Sequence, residues 1–176
     1  SGSPDEPLDA YGLNFGAKLP TGSFKVRNAD GDLAERTLQP GTGTTDALLG
    51  GYFHRALPMK NLSWFAQGLL QKPLDTRAEY RPGARLSFDA GLRYEISEAA
   101  ALMLQANLLL RGRDRGTESE PEDSGGKAIF LSPGASYTAS RDVQIYGFLQ
   151  LPVYQYMNGV QITAKTAAVI GVSTRF

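Results

Sequence analysis

Cysteine is absent from this chain, so neither a disulfide framework nor a thiolate metal site or nucleophile can organise it. That composition suits export through an oxidising periplasm. Also missing is any run approaching the 18 or so apolar residues of a membrane helix, which excludes helical spanning but leaves strand spanning open. Charge of one sign is not in excess: Lys plus Arg and Asp plus Glu number 18 each, so no net field draws in nucleic acid. There is no stretch with the 3.6-residue period of a capped amphipathic helix. No signal peptide is visible either; Ser1 to Pro7 reads as a processed end, and residues 1–10 as a flexible segment, so export has to be inferred from the body of the chain.

What is present is alternation. In Arg85–Ser97 the residues Leu86, Phe88, Ala90, Leu92, Tyr94 and Ile96 are apolar or aromatic, and Arg85, Ser87, Asp89, Gly91, Arg93 and Glu95 are small or polar. A period of two marks a β-strand with unlike faces. Seven more stretches behave similarly: 11–19, 45–57, 62–71, 101–111, 129–139, 143–153 and 160–176. Within 45–57 the phase that puts Ala47, Leu49, Gly51 and Phe53 outward leaves Asp46 and His54 inward. Pro133 is a weakness in its segment, because proline cannot donate to a ladder. These candidates run about 9 to 17 residues. A tilted strand crosses a bilayer in about 9–11, whereas strands average about 5–6 in soluble domains.

The connections alternate too. Those at 20–44, 72–84 and 112–127 are long, and those at 58–61, 97–99 and 140–142 are short; only the last, around Asn158–Gly159, breaks the rule. Short turns on one side and long loops on the other are the habit of outer-membrane barrels. The expected fold is therefore all-β: a single-domain antiparallel up-and-down transmembrane β-barrel over 1–176, with eight strands in this chain. Aromatic residues near strand ends (Tyr11, Phe53, Trp64, Tyr94, Tyr137, Tyr154, Phe176) would form girdles at the two interfaces, and the terminal Phe176 suits recognition by barrel-assembly machinery. A soluble sandwich or a lipocalin competes at this length, but no Gly-x-Trp opens the first strand and no late helix is visible.

Placing the apolar face toward lipid makes Lys18, Arg85, Asp89, Arg93, Glu95, Gln105, Asn107, Lys165 and Arg175 the polar lining of the lumen. A Lys or Arg facing lipid at mid-depth would cost about 2–4 kcal/mol, which decides the direction. The lining reads either as a structural ion-pair network or as a permeation path. His54 is the sole histidine, and no second ligand stands at metal spacing. Asp30-Gly31-Asp32 lacks the closing Glu of a cation loop. The run 111–123, basic then acidic, is a solvated loop in which Arg111, Arg113 and Arg115 could meet lipopolysaccharide phosphates. No nucleophile elbow, catalytic constellation or phosphate cradle is present; neither an enzyme nor a cofactor is expected.

Several runs carry a family resemblance: KLPTGSF (18–24), NADGDLAER (28–36), LQPGTGTTDALLGGYF (38–53), YRPGARLSFDAGLRYE (80–95), LSPGASY (131–137), YGFLQLPVYQYMNGVQIT (146–163) and GVSTRF (171–176). Together they resemble a family of Gram-negative outer-membrane transporters grouped under the meta-pathway of phenol degradation, FadL-like in style. The resemblance covers most of the chain through strand and turn patterns. It implies a porin-like passive transporter of small aromatic or hydrophobic solutes in the bacterial outer membrane. Members are usually longer, with strands before the segment matching Tyr11, which implies either a shortened barrel or the C-terminal part of a larger one. The other expectation is a non-conducting barrel that anchors or scaffolds a partner protein, or an oligomer, through its extracellular loops.

Overall fold

The computed structural model describes residues 9–161, 163 and 165–174, with Thr37 described by its backbone alone. Eight strands follow one another: β1 (Asp9–Lys18), β2 (Asp46–Ala56), β3 (Leu62–Pro73), β4 (Arg85–Glu95), β5 (Ala100–Arg111), β6 (Gly126–Ser140), β7 (Val143–Met157) and β8 (Ala167–Thr174). One 3-10 turn, Arg36–Leu38, interrupts the first long connection. Each strand pairs antiparallel with the next, giving a single up-and-down sheet in the order β1 to β8. The described parts of β1 and β8 make no contact with each other, so the sheet has two free edges.

Alternation sets which side chains share a face, and the register confirms it across strands. Leu70 lies beside Leu86, Phe88 beside Gly68 and Leu108, and Leu104 beside Pro133. On this face every charged residue sits at a strand end: Asp9, Arg55, Lys72 and Lys127. Between them runs an uncharged apolar band. Tyr11, Phe53, Trp64, Tyr94 and Tyr137 border it at the short-turn end, and Tyr154 and Tyr156 at the long-loop end. Phe53 and Trp64 pack with ring centroids 5.0 Å apart.

Burial runs opposite to that of a globular core. Leu131 is 40% exposed while its neighbour Ser132 is 0% exposed. Phe15 on β1 reaches 88%. Among the described residues the fully buried hydrophobic side chains are Tyr80, Ala101 and Ala128, whereas Thr44, Asp46, Asp114, Ser124, Ser132 and Ser136 are buried and polar. The apolar face is thus exposed along the sheet, while the polar face is buried at Asp46, Ser132 and Ser136 and exposed at Gln67, Arg85 and Glu95.

One expected weak point holds, and two details depart from the alternation read in sequence. Pro133 stays inside β6: the register with β7 is the same at Leu131–Leu151 as at Gly134–Phe148, so the missing N–H interrupts the ladder without changing its phase. A bulge does change it further on. Ile129 pairs with Tyr154 but Phe130 with Pro152, which skips Val153 and turns Tyr154 and Tyr156 onto the apolar face as β7 runs on to Met157. Finally, β8 starts at Ala167, not Val160. Gly159 has φ +57°, and Val160 N donates to Asp123 Oδ1 at 2.8 Å while Gln161 Nε2 donates to Gly125 O at 2.8 Å. The segment after Gly159 is tied to the preceding loop, so this connection is long as well, and the alternation of short and long becomes complete. At the other terminus β1 already includes Asp9 and Ala10, which the sequence placed in the flexible segment.

Candidate functional site

The polar face carries three rows of side chains, each positioned by strand register. At the long-loop end Lys18 Nζ lies 2.9 Å from Asp46 Oδ2 and donates to Thr42 Oγ1 at 2.6 Å. Asp46, fully buried, also accepts from Thr44 Oγ1 at 2.8 Å and from Gln71 Nε2 at 2.5 Å. Three partners on one carboxylate keep a buried charge solvated by protein.

Midway along the strands Gln67 Nε2 and Asn107 Nδ2 donate to Asp89 at 3.0 and 2.7 Å, and Ser132 Oγ donates to Asn107 Oδ1 at 2.6 Å. This chain of bonds crosses β3, β4, β5 and β6 in order. Gln105 faces the same way and is half-buried; a side chain at the facing Gly91 would come within 2.8 Å of its Cβ and of the Phe65 ring, so this row needs glycine there.

Toward the short turns Arg93 Nη1 reaches over β5 to Ser136 Oγ, 2.9 Å away on β6, while its Nε stands 3.8 Å from Glu95. Glu95 is more than half exposed. Arg93, Glu95 and the half-buried His54 border a cavity of about 350 Å³ with Asn61 and Ser63. Among the described residues no three His, Asp or Glu side chains converge in a way that could hold a metal ion.

Of the remaining lining candidates, Arg85 lies on the polar face, exposed and directly opposite Arg111. Lys165 does not belong to the strand: it sits exposed in the 158–166 connection, because the tether at Asp123 and Gly125 delays β8. Arg175 lies outside the described residues, as does Phe176.

Alternation gave no access to the loop end, where the most enclosed polar cluster lies. Asp114 accepts from Tyr80 Oη at 2.8 Å, from Gly83 N at 2.8 Å and from Arg111 Nη2 at 2.9 and 3.0 Å, and its own N–H donates to Ser124 Oγ at 2.9 Å. Burial, aided by that bond to Asp114, pushes the Tyr80 phenol up to about 12. Above it the Arg36 guanidinium lies 4.8 Å from both the Phe24 and Tyr80 rings and donates to the carbonyls of Phe24, Thr42 and Arg77 at 3.1 Å. Arg36 thereby clamps the first long loop to the second, Tyr80 and Asp114 the second to the third, and Asp123 with Gly125 the third to the fourth. A cleft of about 580 Å³ opens beside Phe24, Lys25, Arg27 and Arg36.

The arrangement can guide a polar solute or stiffen a wall. No protein-family model matches the chain, and no curated protein matches it in sequence.

Proposed function

We propose that this chain forms wall strands of a bacterial outer-membrane β-barrel, with its apolar band against lipid and its polar face lining a passage for small solutes. The observation that carries this reading is the contrast between the two faces: an uncharged band of exposed Leu, Ile and Phe on one, and Asp46, Asp89, Asn107 and Ser132 hydrogen-bonded on the other. Eight strands of 8–15 residues and aromatic borders at both ends of the band suit a bilayer. Unpaired strand edges are too costly in hydrocarbon to be left open, so the passage requires the β1 and β8 edges to be joined, to each other or to further strands. The family resemblance supports small aromatic or hydrophobic solutes. The test is insertion into planar bilayers: conductance altered by Arg93→Gln supports transport.

One observation favours a second reading, a non-conducting anchor. The long loops are bonded to one another through Arg36, Asp114 and Asp123, as a rigid platform for a partner protein or for lipopolysaccharide would be. Silence across repeated insertions, with the protein folded in the same membranes, would favour it.

A further inference from the structure

On the polar face at the long-loop end, Arg85 of β4 and Arg111 of β5 stand directly opposite each other. Facing side chains of an antiparallel pair have Cβ atoms about 4.5–5.5 Å apart, and like charges placed so are destabilising. Asp114 answers Arg111 through an ion pair at 2.9 Å, but no carboxylate nearby answers Arg85. Asp46 is taken by Lys18, Gln71 and Thr44, Asp89 by Gln67 and Asn107, and Asp114 by Tyr80, Gly83 and one nitrogen of Arg111. Among the described residues Arg85 has no partner, and the Arg111 Nε–H is shut off from solvent without an acceptor. Gln71, which pairs in register with Arg85 on its other side, completes a row of donors spanning three strands.

Arg85, set beside an arginine already committed to Asp114, lacks an acceptor that the chain does not supply. We propose that Arg85 and Arg111 form an oxyanion-binding subsite at the loop-side mouth of the polar face, selecting solutes that carry a carboxylate or phosphate group. Asp114 and Tyr80 act as positioning residues: they hold Arg111 by Nη2 and leave its Nη1 for the solute, the Nε–H being shut off from solvent. This inference rests on the transport reading and narrows it to anionic solutes.

Two measurements on the whole folded chain separate the claims. Inorganic phosphate binding is followed by phosphorus NMR in micelles, and the reversal potential is read in planar bilayers under a potassium chloride gradient. Folding of each variant is checked by heat-dependent gel migration. The expected result is phosphate binding that weakens about tenfold in Arg85→Gln, the loss of one charged hydrogen bond, and only partly in Arg85→Lys. It is joined by an anion preference that reverses in Arg85→Glu. Phosphate binding that depends on Arg85 without any conductance keeps the subsite and removes transport. Conductance with no anion preference and no effect of Arg85 removes the subsite and keeps transport. Absence of both removes both. An equal loss with Arg113→Gln, an exposed loop cation, would mean diffuse attraction and would overturn the subsite.

Discussion

Tyr80 keeps its proton because the phenolate would be desolvated and would face Asp114. A raised folded-state value means that the folded chain holds the proton longer than the unfolded one. Stability from this group is therefore complete below about pH 10, where a free tyrosine titrates, and is lost as pH rises toward about 12. Ultraviolet titration should find one phenol ionising near pH 12, and Tyr80→Phe should remove that step. Gly91 supplies a second test. With Gln105, the Leu104 carbonyl and Phe65 all 2.8 Å from its absent Cβ, Gly91→Ala should destabilise the fold by about 1–3 kcal/mol in urea titrations. At this scale the sequence was readable wherever a residue sat on a strand. Parity alone placed Lys18, Asp89, Arg93 and Asn107 on the polar face. It had no hold on Tyr80, Asp114 or Arg36, whose positions come from contacts between loops far apart in sequence.

Strands were legible as elements because each face keeps one character for about ten residues. Where that character slips, the reading slipped with it. The skipped Val153 reverses the phase of β7, and no turn residue announces it. The late start of β8 comes from Asp123 and Gly125, residues of another loop. The two faces differ most sharply in the middle of β3 and β4, where Phe88 pairs with Gly68 and Asp89 with Gln67 at the same depth. In lipid vesicles Phe88→Arg should cost about 2–4 kcal/mol of folding free energy. Gln67→Arg, placed beside Asp89, should cost far less. Equal costs would mean that the Leu and Phe face does not meet hydrocarbon. Trp64, the chain's single tryptophan, sits on that face at the short-turn border, so brominated acyl chains should quench its fluorescence.

Joining the edges decides what the whole molecule can conduct. An eight-stranded barrel is just wide enough to be filled by its own side chains, whereas wider barrels hold a channel. In the described residues β1 and β8 do not touch. Leu13 is 82% exposed and Ile170 81%, and Asn14 and Ser173 on the opposite face are exposed as well, so both edges stand free on both sides. Leu13 and Ile170 occupy the middle of their strands and the same face, which makes them suitable reporters. Spin labels at Leu13→Cys and Ile170→Cys, diluted with unlabelled chain in vesicles, give their separation by pulsed electron resonance. If the strands paired directly, the two positions would lie within about 8 Å, the reach of facing and diagonal neighbours. Each intervening strand adds about 4.8 Å of wall. A passage for solutes requires intervening strands, so a separation of several strand widths is expected. Direct pairing would leave Asp89, Arg93 and Asn107 filling a closed interior, and the anchor reading would then be the one the molecule supports.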